Sequence, residues 1–179
     1  MKAFATAACL FSLMLPAMSH AESATAHFID AKGKDIGTAK LEDTKAGLLI
    51  TLDIALPEGQ RAFHIHEKGD CTPPDFKSAG GHFNPGKHEH GLHNPKGTHA
   101  GDMPNLNIPA SGKLMQQILN TTVTVKDLLE GDGSALMIHE KEDDYTSDPA
   151  GNAGGRIACA VVGKAPAIKE AAKKIGAEK

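Results

Sequence analysis

From Leu49 to Leu56 the chain reads LITLDIAL, with Ile50, Leu52, Ile54 and Leu56 alternating with Thr51, Asp53 and Ala55. Period-two alternation sends the two sets to opposite faces of an extended chain, so the stretch predicts a half-buried β-strand. Turn chemistry bounds it, with DAKGKD (30–35) upstream and PEGQ (57–60) downstream. The whole segment from Thr25 to Glu67 reads as strand, turn, strand. Further strands are predicted at Thr121–Val125 (TTVTV), Ala135–Glu140 (ALMIHE) and Arg156–Val162 (RIACAVV), while Gly59 to Arg61, Gly131 and Gly133 read as turn residues. Short strands, regular turns and no convincing internal helix predict an all-β sandwich or barrel.

Two long stretches interrupt this pattern. Between Glu67 and about Asn107 lie about forty residues rich in Gly, Pro, His and Asp, and a loop that long in a compact domain is functional, disordered or held by something. The acidic segment Lys141–Gly155 is a second long loop. At the N-terminus, Lys2, the apolar run FATAACLFSLMLPAM and the small residues Ser19 and Ala21 read as a secretory signal over residues 1–21. Residues 22–163 then form one domain. Residues 164–179 follow as a basic tail whose thin stripe, Ile168, Ala171, Ala172 and Ile175, suits a frayed segment better than a docking helix.

Charge and cysteine count narrow the class. Removal of the signal leaves 18 basic residues against 22 acidic ones and a net charge of −4, which gives no indication of a nucleic-acid or anionic-membrane partner. Cys9 leaves with the signal, and an exported chain with two cysteines, Cys71 and Cys159, points to one disulfide; two buried free thiols are the alternative.

The histidines carry the chemistry. Five of the ten lie between Gly80 and Asp102. In AFHIHEKGD, a strand places His64 and His66 on one face and Phe63 and Ile65 on the other, so two imidazoles form a chelating edge while the apolar pair enters the core. His139 stands opposite Leu136 and Ile138 on its strand and faces off the core. In the long loop His82, His90, His99 and Asp102 follow at spacings of eight, nine and three residues, with glycines and a proline able to fold the chain around an ion. Three imidazoles and a carboxylate make a closed tetrahedral set suited to zinc, and binding would supply the free energy that orders the loop.

Read in order, FHIHEKGDC, SAGGHFNPGKHEHG, THAGDMPNL and MIHEKEDDYTSDPAGNAGGRIACAVVG resemble the copper-zinc superoxide dismutase family in its exported bacterial branch, over about Thr25 to Gly163. The resemblance implies copper ligands at His64, His66, His82 and His139, and zinc ligands at His82, His90, His99 and Asp102. His82 then serves both metals through its two ring nitrogens. It also implies that Asp143 bridges a ligand of each metal, that Cys71 and Cys159 pair, and that Arg156 guides substrate beside copper. His88 and His93 are left as spares, and His27 has no role.

The implied fold is an eight-stranded Greek-key β-barrel or sandwich with two long functional loops, an architecture for which this family is a standard example. The implied activity is dismutation of superoxide anion to O2 and hydrogen peroxide, with His82 and Arg156 as catalytic residues, in a periplasmic protein with no membrane attachment after signal removal. A homodimer and a monomer both stay open. The rival is a non-catalytic periplasmic copper or zinc carrier on the same fold, which loss of Arg156 or of a copper ligand would favour.

Overall fold

The computed structural model describes residues 22–165, so the expected signal and nearly all of the expected tail lie outside the described residues. The strands are β1 (Ser23–Asp30), β2 (Asp35–Thr44), β3 (Gly47–Ala55), β4 (Gly59–Arg61), β5 (Phe63–His66), β6 (Leu106–Ile108), β7 (Lys113–Asn120), β8 (Ala135–His139) and β9 (Arg156–Lys164). A short 3-10 turn at Lys77–Ala79 and one helix, α1 (Val125–Leu129), complete the described elements. Seven strands form an antiparallel sheet in the order β5-β8-β9-β1-β2-β3-β7, and β4 pairs with β6. The run β1-β2-β3, with β9 returning beside β1, is a Greek key. Only Ala62 separates β4 from β5, and counting them as one strand that changes sheets gives the expected eight.

Alternation explains both the core and the site. Leu48, Ile50, Leu52 and Ile54 of β3 are buried against Ala24, Ala26 and Phe28 of β1, Phe63 and Ile65 of β5, Leu136 and Ile138 of β8, and Ala158, Ala160 and Val162 of β9. Each large apolar side chain so buried contributes about 1.5–3 kcal/mol, an upper estimate against a partly collapsed unfolded chain. Because β5 commits Phe63 and Ile65 to this core, His64 and His66 must point the other way.

Three expectations are corrected. Thr121–Val125 is not a strand: β7 ends at Asn120, and Thr124 caps α1 in a capping box with Asp127. The β-branched run thus gives way to a helix start, in which the Thr124 hydroxyl takes a free N–H. Gly59–Arg61 is the short strand β4, not a turn. The absence of an internal helix fails at α1.

A smaller cluster, Phe76, Ala79, Ala135, Met137 and Cys159, lies on the far side of β8 and β9. There Cys71 and Cys159 form the disulfide, with Cα atoms 5.7 Å apart and a sequence separation of 88. Closing a loop of that length stabilises by about 4–5 kcal/mol in the chain-entropy account. Reduction should therefore lower the melting temperature by roughly 10–20 °C and reduce metal retention with it, as read by calorimetry and metal analysis. Unchanged melting after verified reduction would show that the closed loop contributes nothing.

Candidate metal centre

β5 is the terminal strand of the large sheet, and the long loop runs along its open edge. Ile65 N–H donates to Gly101 O (2.9 Å), Phe83 N–H to Ile65 O (2.8 Å) and Glu67 N–H to Gly81 O (3.0 Å). These bonds set His82 opposite His66 and Asp102 opposite His64. The loop thus satisfies a free strand edge while carrying its own imidazoles to the pair already on β5.

His64, His66, His82 and His139 converge so that one nitrogen of each lies within 4.8 Å of the others. Of the seven buried side-chain polar atoms without a partner among the described residues, five are nitrogens of these four rings: His64 Nδ1, His66 Nε2, His82 Nε2 and both of His139. Each such orphan costs about 1–3 kcal/mol, so the cluster is built for a cation. Burial, joined by repulsion from neighbouring imidazoles, pushes His66 down to about 2 and His139 to about 3. Burial likewise lowers His64 to about 4, against the opposing hydrogen bond to Asp143. All three are neutral at physiological pH, the state that binds a metal.

A second set adjoins through His82. Asp102 Oδ1 lies 3.1 Å from His82 Nδ1, 2.9 Å from His90 Nδ1 and 3.3 Å from His99 Nδ1, and the His82 and His99 Nδ1 atoms are 3.2 Å apart. Four donors held tetrahedrally at zinc distances would be separated by about 3.3 Å, close to the four separations above, although His99 is not among the donors that all lie within 4.8 Å of one another around Asp102. The other carboxylate oxygen organises the loop: Oδ2 accepts from Gly91 N–H (3.0 Å), His99 N–H (3.0 Å) and Thr98 Oγ1 (2.7 Å). Burial opposes the Asp102 charge, but hydrogen bonds from His82, His90 and the loop hold its carboxyl far below the usual range. Burial also opposes charge on His90, yet Asp102 and Asp143 outweigh it and raise His90 to about 9. His64 also lies within donor reach of His82, His90 and Asp102. Its Nε2, however, is taken by Asp143 Oδ2 at 2.7 Å, which leaves Nδ1 for the first set.

Asp143 joins the halves. Its Oδ2 meets His64 Nε2 and its Oδ1 lies 3.1 Å from His90 Nε2, both in buried surroundings. Gly151, at φ 62, brings its backbone against this carboxylate, where any Cβ would collide with Asp143 Oδ1. Arg156 stands at the edge of the first set: its guanidinium donates to Phe76 O and Gly80 O, each at 2.6 Å, and Gly80 O also accepts from His66 Nδ1 at 3.1 Å. His88 and His93 are exposed and outside both sets. His27 is exposed on β1.

The structure adds residues that the sequence did not single out. Asp148 accepts the His90 N–H (2.7 Å), and Arg61 on β4 donates to Glu140 O, where β8 passes into the second loop. No local pattern announces either, because each acts on main-chain groups brought close only by the fold.

A profile of the copper/zinc superoxide dismutase family (SODC) matches residues 35–162. The chain belongs to that family. It is 50% identical over 159 residues to Cu-Zn superoxide dismutase 1 of Aquifex aeolicus (strain VF5), covering 85% of this chain and 91% of that one. It is also 43% identical over 140 residues to the superoxide dismutase-like protein YojM of Bacillus subtilis (strain 168), covering 73% and 71%. Among solved structures, the Cu/Zn superoxide dismutase from Brucella abortus superposes with a TM-score of 0.67 at 32% identity, covering 79% of this chain and all of that one.

Proposed function

We propose that His64, His66, His82 and His139 hold copper, that His82, His90, His99 and Asp102 hold zinc, and that Asp143 keeps the two sets in register. The observation that carries this reading is the shared ring of His82, whose Nε2 is orphaned on one side while its Nδ1 completes the carboxylate set on the other. The chain is an oxidoreductase that dismutes superoxide. Copper held by those four histidines would supply one-electron redox chemistry, by which one superoxide is oxidised to O2 and a second is reduced, with two protons, to hydrogen peroxide. Zinc has no redox chemistry and fixes the loop.

The chain's own residues do the rest. His82 is the least buried of the four proposed copper ligands, and its Nε2, whenever it is not a ligand, can take up a proton and give it to product while Nδ1 keeps the ring in place. Arg156 draws in the anion and holds it beside His66. Lys77 and Lys96 are poor substitutes for it, since Lys77 pairs with Asp75 (3.1 Å) and Lys96 with Glu89 (3.2 Å). Residues 1–21 and the disulfide support export to an oxidising compartment. Among the described residues no helix is long and apolar enough to cross a membrane.

Protein expressed from the full sequence should carry one copper and one zinc per chain and consume superoxide. Replacing His88 and His93 together by Ala should leave both metals in place. Metal binding without superoxide consumption would establish the carrier instead, and a site emptied by the double replacement would overturn the division between ligands and spares.

A further inference from the structure

We propose that Tyr145 is a positioning residue that sets the Asp143 carboxylate between the two metal sets, acting through Asn105. The inference rests on the role assigned above to Asp143. A carboxylate that serves two imidazoles must be fixed at its main chain as well as at its oxygens, or one bond lengthens whenever the other shortens. Asn105 provides the main-chain grip: Asp143 N–H donates to Asn105 Oδ1 (2.8 Å), and Asn105 Nδ2 donates to Asp143 O (2.9 Å). Two bonds to one residue stop its peptide planes from turning.

Tyr145 locks that grip from the other side. Its hydroxyl oxygen accepts the Asn105 N–H at 2.7 Å, and its own N–H donates to Asp143 Oδ1 at 2.7 Å. Asp143, Tyr145 and Asn105 therefore form a closed triangle of four hydrogen bonds across 40 residues of sequence. The same residue braces the zinc loop. Tyr145 O accepts from His93 N–H (3.0 Å), its ring meets the His93 ring edge-on at 5.2 Å, and Gly91, at φ 117, is so close to Tyr145 O that no side chain fits there. Tyr145 itself sits at φ 63, a left-handed conformation that an aromatic residue does not choose, so these contacts hold it in place.

The test uses the full chain loaded with zinc and copper(I), a diamagnetic form in which the imidazole N–H groups of His64 and His90 facing Asp143 are observable by proton NMR. Tyr145→Phe, which removes only the hydroxyl, should speed solvent exchange of those two N–H groups and zinc release to a chelator by roughly tenfold each. Asn105→Ala should do the same or more, and the double variant should be no worse than Asn105→Ala alone, because the two residues act in series. Should Asn105→Ala not accumulate folded, Asn105→Ser takes its place in the cycle. Unchanged exchange in Tyr145→Phe, faster zinc release without faster N–H exchange, or fully additive effects would each overturn the proposal. Wild-type protein lacking the two protected N–H signals would instead remove the assigned role of Asp143, which keeps the two failures distinct.

Discussion

His139→Ala should abolish superoxide turnover and weaken copper binding by roughly 100-fold or more, while zinc stays near one per chain. Its effect should exceed that of removing a supporting residue, for which losses of 10- to 100-fold are usual. Both nitrogens of His139 are buried without a partner, and its ring packs 4.9 Å from His64 and 5.7 Å from His66. It makes no contact of that kind with His99 or Asp102, whose donors are organised by the loop itself and by β5. Copper and zinc measured per chain, together with the decay of superoxide in stopped flow, read the two sets separately. Equal loss of both metals would show that the shared His82 ring makes them one inseparable site.

Arg156 should govern the rate without governing metal content. Superoxide is a small anion, and the whole chain has a formal net charge of −3, so productive approach needs a local positive field. Arg156 is half-buried and fastened by two carbonyls, with Asp75 the acid whose charge acts on it. Steering raises association rates by roughly 10- to 1000-fold, and superoxide dismutases are among its standard examples, so that magnitude is borrowed from the class. Arg156→Ala should lower the second-order rate by roughly tenfold and flatten its salt dependence, and Arg156→Glu should lower it by roughly 100-fold. The sign of the salt effect follows from screening over about 8 Å at physiological ionic strength: added salt slows an attracted anion and speeds a repelled one. Wild type should therefore slow with salt and Arg156→Glu should quicken. Arg156→Lys keeps the charge but loses the two-carbonyl fork, so it should retain the salt slope at a reduced rate. Wild-type rate and salt response in a fully copper-loaded Arg156→Glu protein would move the guidance elsewhere.

How much of this was legible depended on whether a residue acts through its side-chain pattern or through distant main chain. β3 could be read directly because it alternates into one core, and β8 and β9 because short apolar runs mark strands with apolar residues buried on both faces. β7 was missed because its outward positions include Met115, 80% exposed, and Leu119, 47% exposed, so no polar face marks it as half-buried. The start of α1 was misread because Thr and Val favour strands, and the capping pair Thr124 and Asp127 only outweighs that preference once β7 has ended. Among the site residues, the His82, His90, His99, Asp102 spacing pointed to zinc on its own, whereas the His64–His66 pair made a chelating edge that is more often incidental when it stands alone. Asp143, Arg156 and the joining of His139 to the first set followed only from the family resemblance. Asn105, Tyr145 and Asp148 escaped both readings, since they work through N–H and C=O groups 38 to 58 residues away.

The route of the long loop along β5 has a consequence for the chain before it is loaded. The segment that brings His82 and Asp102 into place is also the cover over the last strand of the sheet, bonded to it at Ile65 and Glu67. Without cations the clustered imidazoles leave that cover with orphaned polar atoms beneath it, and its hold on the strand weakens. An uncovered strand end offers its N–H and C=O groups to any neighbouring chain. Metal therefore bears on how well this chain stays dispersed as well as on how well it turns over.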